Sequence, residues 1–242
     1  MIRILTTSGL VALTLLAAAS VAAAQTPGAA PAPSPAPTAA WSFVVGAGTD
    51  NRSKDASKSD GDPYVWGTAT WQSADRLFYA GPGFETIRSS TGSELELKAA
   101  AGIRPKLAGF AFDLNAAWKY QVDANPGTDH DNWEFTGDVK RSAGPASGRV
   151  RLQYSPDGAG TVRAWSWVEA RVGWDFTPAL NGSIGLGRRE QDGGVDYTGW
   201  DAGFTYALAP GIDTNLRYYA TDANTPGAQY ADGFAASVSF TF

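Results

Sequence analysis

The sequence predicts an all-β protein: an antiparallel, up-and-down transmembrane β-barrel of about 12 strands. Three observations lead to this prediction. Segments of alternating apolar and polar residues recur from Trp41 onward, the connections between them alternate in length, and the last segment ends on Phe242. Successive side chains of a strand point to opposite faces, so alternation gives each segment one apolar and one polar face. Such segments of roughly ten residues, separated by turn residues, are typical of outer-membrane barrels.

The closing segment, 230–242, shows the alternation most clearly. Phe234, Val238 and Phe240 share one face, whereas Ser237 and Ser239 share the other. A bare apolar edge invites aggregation, and a closed barrel removes that edge by pairing the last strand with the first. The terminal aromatic pattern resembles the signal by which bacterial outer-membrane barrels are recognised for assembly. The barrel-assembly machinery and outer-membrane lipids are therefore the expected partners.

The composition excludes several classes of function. The formal net charge of -5 argues against nucleic acid as a partner. The chain has no cysteine, so it can form neither a disulfide nor a thiolate metal site. No cofactor motif is present, and none is expected.

The N-terminus has the features of an export signal. Arg3 is followed by an interrupted apolar run and by Ala22-Ala23-Ala24 before Gln25, which predicts a signal peptide over residues 1–24. A membrane anchor is the alternative, but the apolar run is short for a membrane-spanning helix. Residues 25–40 form a Pro/Ala-rich linker that cannot bury a core. The barrel is expected over residues 41–242.

Twelve segments have the period of a strand, an even number as in bacterial single-chain barrels. Pro82 lacks the N–H group of an ordinary ladder and predicts a bulge or a strand end in the third segment. The predicted strands cover residues 41–48, 64–71, 77–87, 93–104, 110–123, 132–142, 148–155, 165–176, 179–189, 197–207, 211–221 and 230–242.

The connections alternate between long and short. Long ones span 50–62, 124–131, 156–164, 190–196 and 222–229, whereas 73–76, 105–109, 143–147, 177–178 and 208–210 are short and 88–92 is intermediate. Outer-membrane barrels have short periplasmic turns and longer outside loops, so all long connections are expected outside. A soluble β-sandwich is the alternative, but it has no reason to alternate its loop lengths.

Aromatic residues are expected to form two girdles at the level of the lipid headgroups. The predicted periplasmic girdle comprises Trp41, Trp71, Phe78, Phe110, Trp174, Phe176, Tyr206, Phe240 and Phe242. The predicted outer girdle comprises Trp118, Tyr120, Trp133, Tyr154, Trp165, Tyr197, Trp200 and Tyr218.

The first long connection carries a family resemblance. It resembles the first loop of the TorF-like porins, bacterial outer-membrane proteins of poorly defined function, through Asp50, Arg52, Ser57, Ser59, Asp60, Gly61 and Pro63. Similar steps occur at Tyr154-Ser155-Pro156-Asp157, at Tyr197 and Trp200, in the turn at 208–212 and at Phe240-Thr241-Phe242. Asn51 and Ser53 depart from the usual aromatic residues. The resemblance implies an outer-membrane barrel that acts as a porin.

The polar faces of the strands are expected to line the lumen. The candidates are Glu94, Glu96, Lys98, Arg104, Asp113, Lys119, Glu134, Asp138, Lys140, Arg149, Arg151, Glu169, Arg171, Asp201, Asp213 and Arg217. Eight strands give a filled interior and sixteen an open channel, so twelve strands lie between these cases. Two interpretations remain: a narrow polar pore for small solutes, or an interior bridged by Arg–carboxylate pairs. The mixed signs predict a weak ion preference.

An enzyme is not expected. His130 is the only histidine and lies between Asp129 and Asp131 in a predicted outside loop, and no G-x-S-x-G motif occurs. The acidic residues of 50–62 could hold Ca²⁺ but lack the spacing of an EF-hand. A solvated loop is the simpler interpretation of both segments. The alternative to a porin is a non-transporting structural or adhesin-like barrel.

Overall fold

The computed structural model describes residues 38–242, so the predicted signal peptide and nearly all of the predicted linker lie outside the described residues. In this part of the chain no helix is long and apolar enough to cross a membrane. The strands are β1 Ala40–Gly48, β2 Arg52–Ser53, β3 Ala56–Ser57, β4 Tyr64–Gln72, β5 Phe78–Thr86, β6 Leu95–Ile103, β7 Lys106–Leu107, β8 Phe110–Val122, β9 Asp131–Ala143, β10 Ala146–Ser155, β11 Trp165–Thr177, β12 Leu180–Gln191, β13 Tyr197–Ala209, β14 Ile212–Thr221 and β15 Gly233–Thr241, and a 3-10 turn covers Ala228–Tyr230.

The twelve long strands form one closed antiparallel barrel, as predicted. Each strand pairs with its neighbour in the chain, and β1 closes the barrel by pairing with β15. In that last pair Val45 lies opposite Phe240 and Gly46 lies opposite Ser239. The three two-residue strands do not belong to the wall of the barrel. β2 pairs with β3 inside the first long connection, and β7 pairs with the start of β8 in a short turn.

Pro82 has a smaller effect than the sequence predicts. It lies inside β5 and pairs in register with Ala99 of β6, so the strand neither ends nor shifts there. On the other side, the ladder between β4 and β5 has no pairs at Gly81 and Pro82 and resumes in the same register at Ala80. The missing N–H group of Pro82 therefore causes only a local gap in the ladder between β4 and β5, because the ladder between β5 and β6 keeps the strand in register.

The two faces of the barrel reverse the usual arrangement of a soluble protein. Large apolar side chains point outward and are exposed, for example Val172 at 59% and Leu186 at 59%. Charged side chains point inward and are buried, for example Asp138 at 2% and Asp201 at 1%. Isolated charges are normally kept in water, whereas a barrel in lipid presents apolar residues outside and polar residues inside. This arrangement excludes the soluble sandwich.

Two aromatic residues of the predicted outer girdle do not belong to it. Trp165 and Tyr197 are 6% and 1% exposed, and both point into the barrel. Both lie at the first position of their strand and on the inward parity, which they share with Glu169 and Asp201 respectively. Nearness to a strand end was therefore the wrong criterion, because the parity of a position decides which face a residue occupies.

Candidate functional site: the lumen and the loop inside it

The first long connection, residues 49–63, folds into the barrel and is here called the inner loop. Sequence reasoning placed it outside as a solvated loop, and this was wrong: Asn51, Asp55 and Ser59 are 4%, 5% and 2% exposed. Its centre is a hairpin in which Arg52 lies opposite Ser57 and Ser53 lies opposite Ala56. We call residues 52–57 the inner hairpin.

The tip of the inner hairpin is a two-residue turn. Lys54 and Asp55 both have positive φ values, 55° and 63°. A two-residue hairpin loop of type I′ requires positive φ at both central residues, because only then does its twist match that of the strands. The side chains of Lys54 and Asp55 therefore sit at the point where the inner loop reaches farthest from its anchors in β1 and β4.

Hydrogen bonds within the inner loop explain why its motif residues are needed. The hydroxyls of Ser57 and Ser59 both donate to the carboxylate of Asp50, which also pairs with Arg52. The backbone N–H of Gly61 in turn donates to the Ser57 hydroxyl at 3.1 Å. The residues that carry the family resemblance thus hold the shape of the inner loop, because its buried polar groups must find partners.

A small apolar cluster fixes the inner hairpin to one side of the lumen. Ala56 packs with Trp165, Trp167 and Tyr197, all of which point inward from β11 and β13. The Tyr197 hydroxyl donates to the backbone carbonyl of Lys54 at 2.6 Å. Burial of this apolar surface, together with a satisfied buried carbonyl, favours the inward position of the hairpin.

A first chain of ion pairs links the inner loop to the wall formed by β5, β6, β8 and β9. The Lys54 ammonium lies 3.0 Å from Glu134, and Lys119 lies 3.1 Å from the same carboxylate. Lys119 also approaches Glu96 at 3.8 Å. Lys58 donates to Glu96 at 2.9 Å and pairs with Glu85. Two lysines of the inner loop thus complete a series of alternating charges.

A second chain of ion pairs runs along the opposite wall, formed by β10, β11, β13 and β14. Asp201 lies between Arg171 and Arg217, and Arg171 also lies 3.0 Å from Glu169, which pairs with Arg149. Each carboxylate here accepts from two guanidinium groups, which is a strong geometry because both partners are charged. Nearby, Arg151 makes two hydrogen bonds to Asp138, at 2.7 and 2.8 Å.

The tip of the inner hairpin lies between the two chains and carries two titratable groups in unusual surroundings. Burial lowers the pKa of Lys54 to about 7, against the opposing effect of Glu134. Burial also raises the pKa of Asp55 to about 8, and the nearby Asp201 adds to this shift. Gly199 makes room for the tip, because a Cβ atom at that position would lie 2.6 Å from the Cβ atom of Asp55.

A vestibule of about 810 Å³ opens between the inner loop and the other long connections. Lys54, Lys119 and Arg189 line it together with the rings of Trp165 and Tyr230. The carboxylates of Glu96 and Glu134 also line it, and both pair with lysines. Further lining comes from the inner loop, from the strand ends and from the connections at 87–94, 156–164, 192–196 and 222–232. The inner hairpin and the ion pairs of Lys54 and Lys119 thus form part of the vestibule wall, and we call this region of the lumen the constriction.

Most of the lumen candidates named from the sequence point inward, but one does not. Glu94 precedes β6, its side chain is 75% exposed and it pairs with Arg88 on the rim. It is not on the inner wall, because the strand begins only at Leu95. The inward positions are held by Glu96, Lys98, Asp113, Lys119, Glu134, Asp138, Lys140, Arg149, Arg151, Glu169, Arg171, Asp201, Asp213 and Arg217.

Three of the candidates lie near the turn end of the barrel rather than at the constriction. Lys140 and Asp213 share the inward parity of their strands but are exposed near the short turns. Arg104 follows the end of β6, pairs with Asp113 at 3.0 Å and stacks over the ring of Tyr79. These residues surround the short-turn mouth, where water screens their charges.

Sequence reasoning missed several residues of the constriction. Glu85 and Arg189 lie on the inward parity of their strands, so alternation alone could have identified both. Lys54, Asp55 and Lys58 could not be found this way, because they belong to the inner loop and not to a barrel strand. Their nearness to the wall depends on the fold of that loop.

His130 has a local structural environment. Its Nδ1 atom lies 3.1 Å from the carbonyl oxygen of Thr128, and its ring makes an edge contact with Tyr120. Across residues 38–242, no group of three or more His, Cys, Asp or Glu side chains is arranged to hold a metal ion.

The architecture is that of the outer-membrane porins. The KdgM porin covers 83% of this chain and 99% of its own length, with a TM-score of 0.57 at 9% sequence identity. The NanC porin gives a TM-score of 0.54 at 9% identity, covering 84% of this chain and 99% of its own. An outer membrane channel from Pseudomonas putida F1 gives a TM-score of 0.53 at 12% identity, and the alignment covers 85% of this chain and 95% of that channel. At these identities the likeness concerns the fold.

The family follows from the sequence itself. Residues 32–242 match the family described as bacterial protein of unknown function (Gcw_chp), and the chain belongs to that family. No curated protein matches the chain. The description of this family does not mention the TorF-like porins.

Proposed function

We propose that this protein is an outer-membrane porin that lets small solutes or ions pass through a narrow polar lumen constricted by the inner loop. The observation that carries this proposal is the reversed barrel: apolar residues cover its outside while charged residues line its inside. A bilayer selects such an exterior, and a polar interior offers a path for water and solutes. The fold shared with known porins supports the same function.

The proposed location is the bacterial outer membrane, and the proposed partners are its lipids and the barrel-assembly machinery. In support, Phe242 exchanges two backbone hydrogen bonds with Phe43 at 2.9 and 3.0 Å, and their rings stack at 5.9 Å. The terminal aromatic residue therefore takes part in closing the barrel. We also propose the TorF-like porins as the functional group within which the protein acts, on the strength of the inner-loop motif.

We propose that the protein transports solutes without catalysing a reaction. The charged groups of the lumen neutralise one another in ion pairs, and His130 interacts with its own loop. None of these side chains forms a nucleophile–base pair of the kind that hydrolases need.

A second candidate is a non-transporting structural or adhesin-like barrel, and one observation favours it. The inner hairpin and the two chains of ion pairs occupy much of the lumen, as expected for an interior bridged by salt bridges. Whether water finds a continuous path past the inner hairpin distinguishes the two candidates.

Single-channel recording in planar bilayers tests the proposal. Membrane-extracted protein is expected to give small, uniform conductance steps, and a variant with residues 52–57 replaced by two glycines is expected to give larger ones. If the wild-type protein is silent while the shortened variant conducts, the non-transporting barrel is correct. If neither conducts, although both migrate as heat-modifiable closed barrels, the porin function is wrong.

A further inference from the structure

The balance of charge at the constriction differs from that of the whole chain. The chain carries a formal net charge of -5. In the two ion-pair chains, by contrast, every carboxylate has a cationic partner within 4.0 Å, and all but Glu85 have two. The acids of the two chains are thus neutralised by their partners. Asp55, the remaining acid at the tip of the inner hairpin, is largely uncharged at pH 7, because burial raises its pKa to about 8.

Two lumenal cations are left over. Within the part of the chain that the structure describes, neither Lys98 nor Arg189 has a carboxylate within 4.0 Å. Lys98 points inward from β6 and lines a smaller cavity together with Asn51, Glu85 and Glu96. Both of these carboxylates pair with Lys58. Arg189 points inward from β12 and lines the vestibule. A charge without a partner in a confined space sets the sign of the ion that gathers there.

The surroundings of Arg189 strengthen this effect. Its guanidinium carbon lies 4.3 Å from the ring centroid of Trp165, and the ammonium of Lys54 lies 4.4 Å from the same ring. Two cations thus share one aromatic ring. The Nε atom of Arg189 donates to the side-chain oxygen of Gln191 at 2.8 Å, which fixes the direction of the group. An anion in the vestibule relieves the repulsion between the two cations.

We propose that the channel prefers anions and that small carboxylate solutes bind in the vestibule at Arg189, with Lys98 as a second attracting charge farther along the lumen. This inference rests on the proposed porin function and names its solute class. The mixed signs of the lumen residues predict only a weak ion preference, but the pairing of the acids leaves the cations in excess. Arginine suits a carboxylate because its planar group can donate two parallel hydrogen bonds.

Reversal potentials in a KCl gradient test the ion preference. The wild-type channel is expected to favour chloride. The double variant Arg189→Gln, Lys98→Gln is expected to lower the chloride-to-potassium permeability ratio about two- to fourfold, because unit charges several ångströms away in water have an effect of this size. Arg188→Gln is the matched control. It removes the same charge from the neighbouring position of β12, but Arg188 is on the opposite, exposed face. The control is expected to keep the wild-type ratio.

Block of the current by succinate tests the binding site. Succinate is expected to reduce the current through the wild-type channel and through Arg188→Gln, but several-fold less through Arg189→Gln; glucose at the same concentration is the neutral reference. Heat-modifiable migration verifies that each variant forms a closed barrel.

The outcomes separate the inference from the function on which it rests. If the wild-type protein and all correctly folded variants fail to conduct, the porin function itself is contradicted. Three other outcomes overturn the anion site but leave the porin function intact. They are a preference for potassium, an unchanged chloride-to-potassium permeability ratio in the double variant, and equal block of Arg188→Gln and Arg189→Gln by succinate.

Discussion

The ammonium nitrogen of Lys54 lies 3.0 Å from a carboxylate oxygen of Glu134, and this contact joins the tip of the inner hairpin to the barrel wall. Both side chains are largely buried, at 7% and 9% exposure. Loss of one partner from a buried pair leaves an uncompensated charge, which is more costly than the pair is favourable. The position of the inner hairpin therefore depends on this contact.

Lys54→Met is expected to loosen the inner hairpin. It removes the ion pair and leaves Glu134 with only Lys119 as a charged partner, so the hairpin should leave the lumen more often. The measurement is single-channel conductance, which should rise and become noisier. Lys106→Met is the control, because it removes the same charge from an exposed position in a short turn. A wild-type record from Lys54→Met means that the apolar cluster alone holds the hairpin.

The ion preference is expected to depend on pH between about 6 and 9. With a pKa of about 7 for Lys54 and about 8 for Asp55, the tip carries one positive charge at pH 6 and one negative charge at pH 9. Raising the pH therefore weakens the preference for anions. The charged groups that face the tip from the wall are Glu134, Lys119, Arg189, Asp201, Glu169 and Arg171.

Reversal potentials recorded at pH 6 and pH 9 measure this effect. The double variant Lys54→Gln, Asp55→Asn keeps the polar tip but removes both titrating groups, so its ion preference should change far less with pH. An equally steep pH dependence in the double variant assigns the titration to other groups.

Gly199→Ala is expected to push the inner hairpin away from the wall. The new Cβ atom would lie 2.6 Å from side-chain atoms of Asp55, closer than such atoms approach in folded proteins, so the tip has to move. Conductance is expected to increase while the barrel stays closed. Gly148→Ala is the matched control, because a Cβ atom there meets nothing within 4 Å. Equal conductance of the two variants contradicts the close approach of Asp55.

Leu114 and Asn115 are expected to report the two faces of β8. Leu114 is exposed on the outside at 45%, whereas Asn115 points into the lumen. Arginine on the lipid face near mid-depth costs roughly 2–4 kcal/mol, whereas lumen substitutions mainly tune selectivity. Leu114→Arg should thus lower barrel stability in urea titrations, and Asn115→Arg should leave it nearly unchanged.

Cysteine labelling provides an independent measurement of the same faces. The chain has no cysteine of its own, so a single introduced thiol gives an unambiguous signal. Asn115→Cys in a bilayer should react with a small water-soluble maleimide, and Leu114→Cys should be protected. Equal labelling of both variants is incompatible with a lipid-facing Leu114.

The sequence alone determined the barrel. Alternation identified the twelve strands and the faces of the most regular ones, such as β8 and β9, because every strand must keep one side in lipid and the other in the lumen. The predicted strand ends agree with the structure to within a few residues. Loop lengths gave the end at which each connection lies. Where the same rule was set aside, for Trp165 and Tyr197, the assignment to the outer girdle was wrong.

Only the tertiary structure decided what fills the lumen. The inner loop is polar, and a polar segment is equally suited to water or to a polar interior, so its sequence does not distinguish the outside from the inside. Its inward position follows from partners that are far away in the chain: Glu134 for Lys54, Tyr197 for the backbone of the tip and Gly199 for Asp55. The pairing of acids with bases across neighbouring strands is likewise a property of the closed barrel. Which lumenal cations have a carboxylate partner depends on that pairing and not on the composition of the chain.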